Sequence, residues 1–121
     1  MTQVYETTVT GLGPLVTEFI SEKIIILFKG DAPAELAEYC VLHDENNLQE
    51  EIKPDDVFKI NDKSFVVTGV GSAVQQNLKE LGHITLKFDG KMEVDLPGTL
   101  SLEEKEVPEI NNGDTLEIIR D

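Results

Sequence analysis

Residues 64–96, SFVVTGVGSAVQQNLKELGHITLKFDGKMEVDL, carry the reading that decides the fold. Ser64 to Val70 is rich in β-branched residues and reads as a strand. Gly71 to Gly82 is the one convincing helix. Ser72 suits the N-cap, Val74, Leu78 and Leu81 form a helical apolar stripe, and Gly82 is a C-terminal stop. His83 to Phe88 alternates: Ile84, Leu86 and Phe88 share one face, His83, Thr85 and Lys87 the other. Asp89-Gly90 is the strongest hairpin signal in the chain, with Met92 to Leu96 as the returning strand.

The flanking sequence extends the same pattern. Gln3 to Val9 sets Tyr5, Thr7 and Val9 against Val4, Glu6 and Thr8, and Gly11-Leu12-Gly13-Pro14 breaks it. Leu15 to Ser21 is a short helix or a turn. Lys23 to Lys29 is a buried strand. Pro33 to Glu38 is a short helix capped by Asp31 or Ala32, and Tyr39 to Leu42 is a strand entering His43. Asp44-Glu45-Asn46-Asn47 is a turn. Leu48 to Ile52 and Val57 to Ile60 are weak strands around Pro54-Asp55-Asp56, and Asn61-Asp62-Lys63 is a hairpin turn. Thr99 to Leu102 and Thr115 to Ile119 are further strands. No internal repeat and no linker stand out, so residues 1–121 read as one domain. Many short strands with frequent turns predict a mostly-β barrel or sandwich with one or two short helices.

The chain holds 24 acidic against 10 basic residues, a net charge of −14. Such a charge repels nucleic acid and anionic lipid, so neither is an expected partner. The longest apolar run, Ile24 to Phe28, is far short of the roughly 20 residues of a membrane-spanning helix. The N-terminus has no basic start followed by an apolar stretch, and Cys40 has no cysteine to pair with, so the expected location is the cytoplasm. Acids crowd between Asp31 and Asp56, where Lys53 is the one base. That stretch is either a solvated face or a docking surface for a basic protein.

Two histidines, His43 and His83, are the candidates for chemistry. His43 follows an apolar strand and precedes a polar turn, which predicts an exposed imidazole at a strand end. A neutral imidazole has a nucleophilic nitrogen near pH 7, and its other nitrogen can be held by a hydrogen bond, which suits phosphoryl capture. The plain alternative is an ordinary strand-end histidine. His83 shares a face with Thr85, and reads either as a structural histidine or as a helper that bonds phosphoryl oxygens beside His43. Cys40 reads as a small buried residue, three positions from His43 and so on the opposite strand face. A metal site of both histidines with Asp44 or Glu45 has a weak signal, and no metal or cofactor is expected. Gly69-Val70-Gly71-Ser72 is either an anion-holding turn or a plain strand-to-helix turn.

Several runs resemble one family. Ala32-Pro33-Ala34-Glu35-Leu36-Ala37-Glu38-Tyr39-Cys40-Val41-Leu42-His43 resembles the phosphorylation segment of glucitol/sorbitol-specific IIA components of the phosphoenolpyruvate-dependent sugar phosphotransferase system. The run from Val67 to Gly90 resembles the second family signature, and Leu96-Pro97-Gly98-Thr99 matches as well. The resemblance implies a small closed β-barrel with His43 as phosphoacceptor. It also implies HPr as the phosphoryl donor and the IIB domain of a glucitol/sorbitol permease as acceptor. The rival reading is a non-catalytic regulatory module that binds a partner through its acidic surface.

Overall fold

In a computed structural model, describing residues 2–30, 32–45, 48–94 and 96–120, the chain folds into a closed eight-stranded barrel. The elements are β1 (Thr2–Leu12), α1 (Val16–Ser21), β2 (Ile24–Lys29), α2 (Ala34–Ala37), β3 (Cys40–His43), β4 (Val57–Ile60), β5 (Lys63–Val70), α3 (Val74–Leu81), β6 (Ile84–Lys87), β7 (Thr99–Leu102) and β8 (Thr115–Arg120). Around the barrel the order is β1-β3-β2-β6-β7-β5-β4-β8, closed by β8 on β1. Closure removes exposed strand edges.

Strand parity places the core. Tyr5, Thr7 and Val9 of β1 are buried, and so are Ile25 and Leu27 of β2, Phe65 and Val67 of β5, and Ile84 and Leu86 of β6. Val4 is buried as well, because a bulge between Gln3 and Tyr5 shifts the register against β8.

The barrel is built from two halves of the same design. In the first, β1 pairs antiparallel with β3, and β3 parallel with β2. In the second, β5 pairs antiparallel with β7, and β7 parallel with β6. β2 and β6 then join antiparallel, and β4 and β8 close the far side. The correspondence reaches single bonds. Gly13 N donates to Cys40 O at 3.0 Å, as Gly71 N does to Thr99 O at 2.9 Å. Leu15 N donates to Glu38 O, as Ala73 N does to Pro97 O. Asp56 accepts from Lys53 N ahead of β4, as Asp114 does from Asn111 N ahead of β8. Lys23 at φ 62° answers Gly82 at φ 63°. The absence of an internal repeat was a property of the side chains alone, since hydrogen bonding and close approach set the backbone path. The path requires glycine where the chain crosses itself. A Cβ on Gly13 would lie 2.1 Å from Glu38 O, and one on Gly71 2.2 Å from Pro97 O.

Four local expectations are corrected. Asp89-Gly90 does not close a hairpin, because β6 pairs parallel with β7 and the chain must cross before returning; of the expected return strand, Met92, Glu93, Val94 and Leu96 are in no strand, and Asp95 lies outside the described residues. Leu48 to Ile52 is not a strand: Leu48 and Ile52 are buried, but the backbone runs as a loop. Helix α3 begins at Val74 with Ala73 as N-cap rather than Ser72, since Ala73 N is held by Pro97 O. Pro33 occupies the N-cap of α2, and Asp31 lies outside the described residues. The Gly82 stop is as expected, in left-handed conformation after Leu81. Among the described residues no helix is long and apolar enough to cross a membrane.

Candidate functional site

β3 carries Val41 and His43 on its inward face, between β1 and β2, where His43 pairs with Val9 and with Lys29. Parity therefore drives the imidazole into the barrel end. His43 is 0% exposed, which corrects the expectation of a surface ring. The residues after it fold back as a roof: the Tyr5 hydroxyl donates to Glu45 O, and Glu45 N donates to Thr7 Oγ1 at 3.0 Å.

Both ring nitrogens are engaged. Nε2 lies 2.7 Å from Gly82 O, and Nδ1 lies 3.0 Å from Thr7 Oγ1 and 3.3 Å from the Tyr5 hydroxyl. A carbonyl only accepts, so Nε2 carries a proton. The Tyr5 proton is committed to Glu45 O, so Nδ1 of a neutral ring accepts from Thr7. Burial pushes the His43 pKa below its ordinary value of 6.5; the bond to Gly82 O and the Asp44 carboxylate oppose the shift, and Lys29 adds to it. The ring is neutral at pH 7. Burial also raises the Tyr5 phenol, keeping it a proton donor.

Asp44 accepts from Thr8 N at 3.3 Å, and its Oδ1 stands 3.3 Å from Thr7 Oγ1. On the Nε2 side, Gly82 sits between Lys29 and His43. A Cβ there would lie 2.9 Å from Lys29 Cβ, 3.0 Å from His43 Cε1 and 3.2 Å from Nε2. Lys29 follows Ile25 and Leu27 in inward parity, so its stem leaves the core on the side of the imidazole.

The second half of the barrel shows what this location is when it does no chemistry. Val9 pairs with His43 as Val67 does with Leu102, so Leu102 stands where His43 does. Carried two residues back along β1 and β5, and one beyond the Lys87–Ser101 pair, the same register puts Phe65 where Thr7 stands and Phe88 where Lys29 does. Phe65 and Phe88 pack edge to face at 4.9 Å. One half thus fills its end with hydrocarbon. The other buries a hydroxyl, an imidazole and the stem of a cation, a costly choice unless the groups are used.

His83 is not brought to His43. Its Nδ1 donates to Leu27 O at 3.0 Å, and its ring lies on Phe28 with centroids 4.7 Å apart, on the outer face of β2. Thr85 shares that outer face. Cys40 is fully buried, as expected, and burial raises its thiol pKa to about 11. Among the described residues no group of three metal-ligating side chains is suitably placed. Gly69 and Gly71 serve close backbone crossing, with a Cβ on Gly69 falling 2.8 Å from Met92 O. Asp56 leaves the acidic surface: it is 2% exposed and accepts two bonds from Arg120, at 2.8 and 3.0 Å. The sequence reading missed Tyr5, Thr7, Lys29 and Gly82 as site residues. Nothing marks them as a motif, since they come from three separate segments.

Comparison with known proteins defines the class. The chain superposes on the crystal structure of a PTS system IIA component from Enterococcus faecalis V583 with a TM-score of 0.83 and 28% identity, covering 96% of this chain and 100% of that one. The fold is thus that of a PTS system IIA component. The model of the family described as PTS system glucitol/sorbitol-specific IIA component matches residues 4–117. Proteins described as its EIIA component in Shigella flexneri and Escherichia coli (strain K12) are 42% and 41% identical over 100 residues, 83% of this chain and 81% of theirs. The chain belongs to the glucitol/sorbitol-specific IIA family and is a component of a phosphotransferase system.

Proposed function

We propose that the chain carries the phosphoryl group of its phosphotransferase system on His43, taking it from phospho-HPr and passing it to the IIB domain of a glucitol/sorbitol permease. The observation that carries this reading is the buried pair of Thr7 and His43 with half-buried Lys29 beside it, set where the other half of the barrel has Phe65, Leu102 and Phe88. Family membership supplies the system in which such a nucleophile would work. The reaction exchanges one bond to phosphorus for another through a loose transition state, so positioning and charge do most of the work. A neutral imidazole fixed at both ring nitrogens, by Gly82 O and by Thr7 Oγ1, meets the first need, and Lys29 the second.

Access requires the roof to open, by withdrawing Glu45 from Tyr5 and Thr7 or Gly82 from Nε2. A docking partner would supply that motion. The chain acts as one domain in the cytoplasm, and its acidic surface receives basic faces of HPr and IIB. His83 supports the site by holding Gly82 in place through its bond to Leu27 O, rather than by touching phosphate. Replacing His43 with Gln tests the assignment. Phosphoryl transfer from phospho-HPr, and sorbitol uptake in cells relying on this protein, should both vanish while the barrel stays folded. Uptake at the wild-type rate would instead favour a regulatory module.

A further inference from the structure

We propose that Thr7, backed by Asp44, is a positioning residue that holds a proton on Nδ1 of His43 during transfer, so that Nε2 forms the bond to phosphorus. The inference rests on His43 being the acceptor and adds which nitrogen reacts and what fixes it. Three distances frame it: Nδ1 to Thr7 Oγ1 at 3.0 Å, Thr7 Oγ1 to Asp44 Oδ1 at 3.3 Å, and Nε2 to Gly82 O at 2.7 Å. The Thr7 hydroxyl has one proton and two acceptors within reach. Turned toward Nδ1, it supports the resting Nε2–H form, with Gly82 O satisfied. Turned toward Asp44, it accepts from both Nδ1–H and Glu45 N–H, and every group around it is bonded.

The two halves of the barrel show which part of this relay is specific. A carboxylate on the neighbouring strand's amide is a feature of both: Glu103 Oε1 accepts from Val66 N at 3.0 Å, as Asp44 does from Thr8 N at 3.3 Å. In the first half alone a hydroxyl stands between that carboxylate and an imidazole. Thr7 is replaced by Phe65 in the other half, and His43 by Leu102.

Charge selects the nitrogen. The Nδ1 side faces Tyr5 and Thr7 of β1 and the carboxylates of Asp44 and Glu45, which repel phosphoryl oxygens. The Nε2 side faces Gly82, which has no side chain, and lies next to Lys29 of β2. The proton count closes on that choice. Before transfer, as Gly82 O withdraws and the roof opens, solvent takes the Nε2 proton and returns one to Nδ1 while the Thr7 proton turns to Asp44, so the ring stays neutral. The Nε2 lone pair then bonds to phosphorus while the donor's bond to phosphorus breaks, its electron pair staying with the donor. The product ring is a phosphorylated imidazolium whose charge faces Asp44 through Thr7. Onward transfer returns the pair to Nε2, and no proton crosses the site in either step.

The test uses phosphoprotein made with phosphoenolpyruvate, Enzyme I and HPr, labelled with ¹⁵N in histidine. Nitrogen and phosphorus NMR should place the phosphoryl group on Nε2 with a proton on Nδ1. Thr7→Val should slow transfer about tenfold to a hundredfold, as loss of a hydrogen bond to a charged group predicts, and Thr7→Ser should recover most of it. Asp44→Asn keeps the fold test separate, since Asp44 is exposed. It should move the phosphohistidine titration, read by ³¹P shift, to lower pH. A phosphoryl group on Nδ1, a wild-type rate for folded Thr7→Val, or an unmoved Asp44→Asn titration would overturn the proposal. A phosphoryl group on any residue other than His43 would overturn the acceptor assignment itself.

Discussion

At position 43 an apolar strand ends on an imidazole, and its parity with Val41 sends the ring inward. Sequence pattern gave the strand and the histidine but placed the ring on the surface, because a chain read in one dimension does not show the two strands flanking its end. Thr7 looked like any polar residue of an alternating strand; its partner stands 36 positions away. Burial has a measurable consequence. The folded protein holds His43 below its ordinary pKa, while the unfolded chain titrates near 6.5. Between those values the unfolded chain binds more protons, so stability rises with pH and is lost as pH falls below about 6.5. Urea denaturation at pH 7.5 and 5.5 should show this loss in the wild type and a smaller one in His43→Asn. Equal losses would mean that the ring titrates freely in the folded state.

Among the elements, the helix Val74–Leu81 and the strands Ile84–Lys87 and Thr99–Leu102 were legible because their apolar periods and the Gly82 stop are local. The false hairpin at Asp89-Gly90 had the correct turn chemistry. A parallel pairing, which leaves no mark near the turn, overrode it. The paired glycines at strand ends have a reason no local rule states: at Gly13 and Gly71 the chain passes against its own carbonyls. Gly71→Ala should cost about 1–3 kcal/mol or more, since the added methyl meets backbone rather than a movable side chain. Equilibrium denaturation in urea measures it, and a loss within 0.5 kcal/mol would show that the crossing is looser than its geometry.

Over the whole molecule, one backbone design is used twice and furnished differently. Close correspondence of hydrogen bonds coexists with side chains too dissimilar to register as a repeat, which is why the sequence read as non-repetitive. Charge also acts at this scale. With a net charge of −14, association with a basic donor should be electrostatically steered. The on-rate of phospho-HPr, followed by rapid quench, should fall steadily as ionic strength rises, because screening shortens the reach of the field. A rate indifferent to salt would leave the acidic face as a solvated surface.

Mapping the phosphoryl group by mass spectrometry, under conditions that preserve acid-labile phosphate, tests the central claim most directly. After reaction with phosphoenolpyruvate, Enzyme I and HPr, the adduct should fall on the peptide containing His43, persist in His83→Ala, and be absent from His43→Ala. An adduct that survives in His43→Ala, or that maps to His83, would contradict it.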